Sequence, residues 1–320
     1  MKPDWKKAVV HLEAAADSAT WEEQQKQLQE MWREMEKGEH PAAEIAAKRL
    51  PKMRDRRYRG TAVFVAHEGN RYLVTARHVL TNADHALGAP GMDHYRDDAD
   101  RQQRIDDWIF PIVFRVPTLD EVKRQPDYHP QAHLMNLGAG VPWMHPYTFS
   151  EPALDLAVVS LRSGDLYGRF ADELESTGYL PVSLDDIGQE PSADGAQIYS
   201  VGYPDATAVL GQRALHPAEE PWASAVVSVP VFAFGRVAML RDDLHYFLAD
   251  MSVYPGNSGG PVIEGDRMVG IVSAQAAVED VRIPFGTVIK SVFIRDLIEK
   301  QVQRDQGLAA IRAGSLPQSS

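Results

Sequence analysis

One six-residue run, Gly256-Asn257-Ser258-Gly259-Gly260-Pro261, constrains this chain more than any other. Its small residues suit a tight turn between strands that leaves the Ser258 hydroxyl exposed, and the glycines let backbone amides come close to whatever the serine faces. With the N–H groups of Gly256 and Ser258 converging on a developing oxyanion, such a turn reads as an acyl-transfer site. A purely structural turn would have the same composition. The functional reading therefore depends on a base and an acid elsewhere in the chain.

The base candidate is His78, at the end of the β-rich run Arg71-Tyr72-Leu73-Val74-Thr75-Ala76-Arg77-His78. A neutral imidazole there accepts the serine proton and returns it to a leaving amine. The acid candidate is Asp155, at the head of the apolar run Leu156-Ala157-Val158-Val159-Ser160-Leu161. An isolated carboxylate is costly to bury in such a place, so a partner is expected, and the imidazole N–H of His78 suits it. Asp106 and Asp107 compete for this role but lack the strand context.

In the order His, Asp, Ser, these segments resemble the chymotrypsin-like (trypsin-like) serine peptidases, especially the bacterial branch that includes the HtrA-type proteases. Further matching pieces are Gly60-Thr61-Ala62-Val63-Phe64-Val65, Val201-Gly202-Tyr203-Pro204 and Val269-Gly270-Ile271-Val272-Ser273. The resemblance implies a mainly β fold of two antiparallel six-stranded barrels with a triad in the cleft between them. Ser258 would then be the nucleophile, His78 the general base and acid, and Asp155 the group that fixes the imidazole tautomer. Gly256 and Ser258 would form the oxyanion hole. The segment Ser252 to Pro255, the run Ser273-Ala274-Gln275 and the strand around Ile283 to Gly286 would wall the substrate site. Ser252 stands where a trypsin-specific member carries an aspartate, which implies a small to medium apolar residue before the scissile bond. The expected substrate is a protein or peptide, with no cofactor and no metal.

Departures from the secreted members are informative. No cysteine occurs, so no disulfide staples the barrels and a reducing, cytoplasmic location in a bacterium is expected. Asn257 replaces the aspartate of zymogen-activated members, which speaks against activation by a new N-terminus. Arg77, beside the histidine, replaces a small residue and is expected to point to solvent.

The peptidase domain is expected over residues 58–298, with barrel 1 over 58–175, an inserted region over 84–150 and barrel 2 over 176–298. Residues 1–57 read as a helical extension. Helices are expected from Asp4 to Ala16, after the Thr20/Glu23 capping pattern, and from Pro41 to Arg49. The stripe Leu28, Met31, Trp32, Met35 would pack on a barrel or dock a regulatory protein. Another helix is expected from Val292 to about Ala313, so that 299–320 holds its end and a tail, with no room for a PDZ domain. The first residues lack an apolar run of leader length, and no later run reaches membrane-spanning length. A net charge of −12 gives no support for nucleic-acid or anionic-membrane partners. The basic stretch 48–59 reads as a solvated linker. Asp93, Asp97, Asp98 and Asp100 lack the glycine and glutamate of a calcium loop, and His129, His133 and His145 have no cysteine ligand beside them.

Overall fold

A computed structural model of the chain describes residues 2–16, 56–81, 113–115, 133–135, 137, 144–162, 166–204, 213–214, 226–227, 229–278 and 281–313, with scattered positions between 26 and 38. After a single helical turn, α1 (Trp5–Ala8), the chain enters β1 (Val9–Ala16), then β2 (Arg56–His67) and β3 (Asn70–Ala76). One further helical turn, α2 (Arg77–Leu80), ends this run. The short strands β4 (Val113–Arg115), β5 (His133–Met135) and β6 (Tyr147–Phe149) precede β7 (Leu156–Leu161), α3 (Leu166–Ser176) and β8 (Val182–Ser183). These strands form one sheet in the order β5-β4-β1-β2-β3-β7-β6, with β8 parallel to β2.

The second half contains β9 (Gln197–Gly202), a separate ribbon of β10 (Arg213–Ala214) with β11 (Val226–Val227), and β12 (Val231–Met239). It continues through β13 (Tyr246–Asp250), β14 (Pro261–Glu264), β15 (Arg267–Val278) and β16 (Val281–Lys290) to α4 (Val292–Arg312). Six of its strands close into a barrel, in the order β12-β13-β16-β15-β14-β9. Ile198, Val237, Phe247, Val262, Val272 and Val288 fill the interior.

The first sheet is covered on both faces, which explains why β7 is buried at all six positions rather than at alternate ones. On one face Val10, Leu12, Phe64, Leu73 and Val159 pack with Phe170, Ala171 and Leu174 of α3. On the other, Val9, Val63, Val65, Val74 and Val158 meet Tyr203, Ile263 and Ile271 from the barrel and Ile294, Leu297 and Ile298 from α4. Helix α4 is also fastened by a polar seam. Thr148 Oγ1 donates to Gln301 Oε1 at 2.6 Å, Gln301 Nε2 to Asp305 Oδ1 at 2.9 Å, and Arg304 Nη1 to the Tyr147 carbonyl at 2.9 Å.

Three expectations change. Among the described residues only the second half closes into a barrel, and the first is an open sheet. Residues 9–16 are a strand, not a helix, because they pair along their whole length with β2, from Val9↔Val63 to Ala16↔Arg56. The N-terminal residues therefore belong to the sheet, and the described helical positions between Lys26 and Glu36 lie in an excursion between β1 and β2. Finally, β8 pairs with β2, so the first sheet reaches past residue 175. The expected helix over 41–49 and the acidic loop at 93–100 lie outside the described residues. Among the described residues no helix is long and apolar enough to cross a membrane.

Strand β1 also buries a histidine. His11 is fully buried, its ring stacked on Tyr203 at 4.8 Å between centroids, and neither ring nitrogen has a hydrogen-bond partner among the described residues. Burial, then the nearby Arg59 guanidinium, lowers its pKa to about 3. Glu13, on the same face of the strand, lies 3.8 Å from that guanidinium. The unfolded chain takes up this proton near pH 6.5 and the folded chain does not. The stability held above that pH is thus lost as pH falls toward 3, by on the order of 4 kcal/mol from this group. In urea titrations across that window His11→Phe should flatten the pH dependence, and an unchanged slope would show that His11 does not carry it.

Candidate active site

Two structural turns bring His78 and Asp155 together. In α2, Arg77, Val79 and Leu80 turn inward, while the His78 side chain, about half exposed, faces out. Asp155 closes a 3-10 turn, Pro152–Leu154, in the left-handed region at φ 44°. The His78 Nδ1 lies 2.8 Å from Asp155 Oδ2, and the His78 backbone N–H donates to Oδ1 at 3.0 Å. Ser273 Oγ donates to the same Oδ2 at 2.5 Å. Burial works against the charged carboxylate. The His78 and Ser273 bonds outweigh it, and the Asp155 carboxyl stays below its ordinary pKa.

Ser258 joins this network through Ser273, donating from Oγ to the Ser273 carbonyl at 3.0 Å. Among the described residues no hydrogen bond joins Ser258 Oγ to His78. The turn around it is held from the first sheet: Thr61 N–H donates to the Ser258 carbonyl at 2.8 Å, and Thr61 Oγ1 to the Gly256 carbonyl at 2.8 Å. Gly256 and Gly259 have φ of 93° and 85°. At Gly259 a Cβ would lie 2.0 Å from the Thr61 carbonyl oxygen, so no larger residue fits without moving that strand. Asn257 N–H, Gly259 N–H and Gly260 N–H are spent on backbone carbonyls within the fold. Those of Gly256 and Ser258 make no backbone hydrogen bond among the described residues, which leaves them able to donate to an oxyanion.

Pairing of the barrel strands places a pocket of about 300 Å³ beside this turn. Phe234, Met251, Val253, Tyr254 and Pro284 supply its apolar lining, and Asp250, Ser252 and Gln275 its polar lining. Of the residues expected to wall the substrate site, Ser252, Val253, Tyr254, Gln275 and Pro284 line this pocket. Pro255 and Ala274 do not, and Ser273 turns its hydroxyl to Asp155 instead.

A family profile described as the trypsin-like peptidase domain matches residues 60–271, well over half of the chain. The chain belongs to that family. No curated protein matches the chain in sequence. Among solved structures this trypsin-like peptidase chain is similar to the HtrA-type protease AlgW with decapeptide, at 15% identity and a TM-score of 0.45, covering 93% of this chain and 65% of that one. The inactive form of Rv3671c from M. tuberculosis H37Rv is similar at 12% identity and a TM-score of 0.38, with 93% and 88% covered. The chain thus spans 65% of the length of AlgW.

Other site expectations fare differently. Asp106, Asp107 and His129 lie outside the described residues. His145 Nδ1 pairs with the Tyr147 hydroxyl at 2.9 Å, and no cluster of metal-ligating side chains occurs among the described residues. Arg77 does not point to solvent: it is 5% exposed, with Nη1 donating to the Ser150 carbonyl at 2.8 Å. Sequence reasoning gave no role to Thr61 and did not notice Phe234. Thr61 lies inside the Gly60-Thr61-Ala62-Val63-Phe64-Val65 segment, where a hydroxyl beside a glycine in an apolar strand is the available signal. Phe234 carried none, because its place depends on how β12 joins the barrel.

Proposed function

We propose that this trypsin-like peptidase is a serine endopeptidase that forms an acyl-enzyme on Ser258. In this reading His78 takes the Ser258 proton as the hydroxyl attacks the scissile carbonyl, and gives it to the leaving amine. Water, activated by His78, then releases the acyl group. Asp155 keeps the imidazole in the tautomer whose Nε2 is free to accept, and stabilises imidazolium as it forms. The Gly256 and Ser258 amides take the oxyanion. The observation that carries the reading is the 2.8 Å bond between His78 and Asp155, linked through Ser273 to a serine in a turn whose Gly256 and Ser258 amides make no backbone hydrogen bond among the described residues.

A second reading, an enzyme latent until a partner or signal acts, is favoured by one feature. The Ser258 hydroxyl is spent on the Ser273 carbonyl and must rotate to reach His78. The excursion between β1 and β2 is our candidate for the docking of such a partner. A complete first barrel belongs to the proposal too, as does a cytoplasmic location, which the absence of cysteine supports.

Fluorophosphonate labelling of the purified protein, with the modified peptide identified by mass spectrometry, tests the core claim. Modification confined to Ser258 is expected. No labelling of the pure protein together with labelling in cell lysate would favour the latent enzyme, and none in either would leave a binding protein on a peptidase scaffold. The apolar lining of the pocket supports small to medium apolar residues before the scissile bond. A panel of short peptides should therefore show such substrates cleaved fastest, and faster cleavage after Lys or Arg would instead assign the pocket to Asp250.

A further inference from the structure

The first two residues of α2 grip the same loop at different points. His78 holds the Asp155 carboxylate through its ring and its backbone N–H. Arg77, next in line, holds the main chain of that loop at both ends: its N–H donates to the Asp155 carbonyl at 3.0 Å, and its Nη1 to the Ser150 carbonyl at 2.8 Å. Its guanidinium carbon lies 5.1 Å from the centre of the Phe149 ring, within range of a cation–π contact.

The loop needs such holding. A non-glycine residue in the left-handed region is disfavoured by about 1 kcal/mol, and Asp155 sits there. Ser150 closes the loop on itself, its N–H donating to the Leu156 carbonyl at 3.0 Å and its Oγ accepting from the Leu156 N–H at 2.9 Å. That closure fixes the shape of the loop, and the Ala76↔Leu156 pairing with the two backbone N–H bonds to Asp155 holds its far end beside α2, but none of these ties its Ser150 end to α2 directly. The planar fork of Arg77, over the Phe149 ring and bonded to Ser150, supplies that direct tie. Lysine could reach the carbonyl but would lack the rigid plane.

We propose that Arg77 is a positioning residue that locks the Ser150–Asp155 loop against α2, so that the Asp155 carboxylate stays aligned with His78. The proposal rests on the peptidase reading for its consequence in rate, but its structural content can be measured without turnover. The far-downfield proton NMR signal of the His78–Asp155 hydrogen bond reports alignment directly. In the full chain, Arg77→Met should weaken or abolish that signal and lower kcat by about 10²-fold with KM little changed, the scale of loss expected when a reacting group is displaced by about an ångström. Arg77→Lys should restore part of both. In an Asp155→Asn background the Arg77 change should cost no further rate, because the two act through one element.

An unaltered signal and rate in Arg77→Met, or a loss fully additive with Asp155→Asn, would overturn the proposal. If Arg77→Met does not fold, Phe149→Leu removes the ring beneath the guanidinium, and its contact with Tyr147, while keeping an apolar side chain against the core. A several-fold loss of kcat that vanishes in the Asp155→Asn background would support the role, and an additive loss would overturn it. Should the wild-type protein resist fluorophosphonate both pure and in cell lysate, the peptidase reading fails by itself, and the NMR comparison still decides whether Arg77 aligns the pair.

Discussion

Ser258→Ala is expected to lower turnover of a peptide substrate by about 10⁶-fold, the scale seen when the nucleophile of a serine peptidase is removed. The fold should be untouched. Among the described residues the lost Oγ makes one hydrogen bond, to the Ser273 carbonyl, and alanine suits the turn, whose shape is set by Gly256, Gly259 and the bonds from Thr61. Thermal unfolding and the rate, measured on the same preparation, check both halves. A variant that keeps a tenth or more of the rate would remove Ser258 from the chemistry, and with it the acyl-enzyme.

Asp155→Asn should leave the chain folded and lower kcat by about 10⁴-fold, the size of effect on which the triad rule is founded. Asn matches Asp in shape but presents an amide, which stabilises the wrong imidazole tautomer and cannot offset the charge on imidazolium. In the present geometry the loss is compounded, because Oδ2 accepts from both His78 and Ser273 and one amide nitrogen cannot accept from either. The lowered pKa of the carboxyl means that it remains ionised from neutral pH well into the acid range. The variant should therefore be impaired throughout that range, with no pH at which it regains wild-type rate. A rate near wild type at any pH would shift the orienting role to Asp106 or Asp107, or to no carboxylate.

The positions of His78, Asp155 and Ser258 were legible because each lies in a short local pattern: a strand that ends in small residues before histidine, an aspartate opening an apolar strand, and a serine among glycines. Features that depend on distant partners were not. Strand β1 looked helical because Val9, Leu12 and its alanines suit either period, and the strand that decides the matter returns only at residue 56. Arg77 looked solvated because a cation in isolation belongs in water. Its burial depends on a carbonyl from Ser150 and a ring from Phe149, seventy residues downstream. The second barrel could be expected from the family resemblance, whereas the open edge of the first sheet followed from pairings that no local pattern encodes.

The excursion between β1 and β2 starts and finishes on hydrogen-bonded neighbours, since Ala16 pairs with Arg56. Its two ends are thus pinned side by side by the sheet itself, whatever lies between them. That makes the site a natural splice point: segments of very different length can be exchanged there at little cost to the scaffold, because loop closure grows only slowly with length. A lineage can in this way acquire or replace the inserted segment without rebuilding the sheet, and an engineer can insert a fluorescent or ligand-gated module at the same seam.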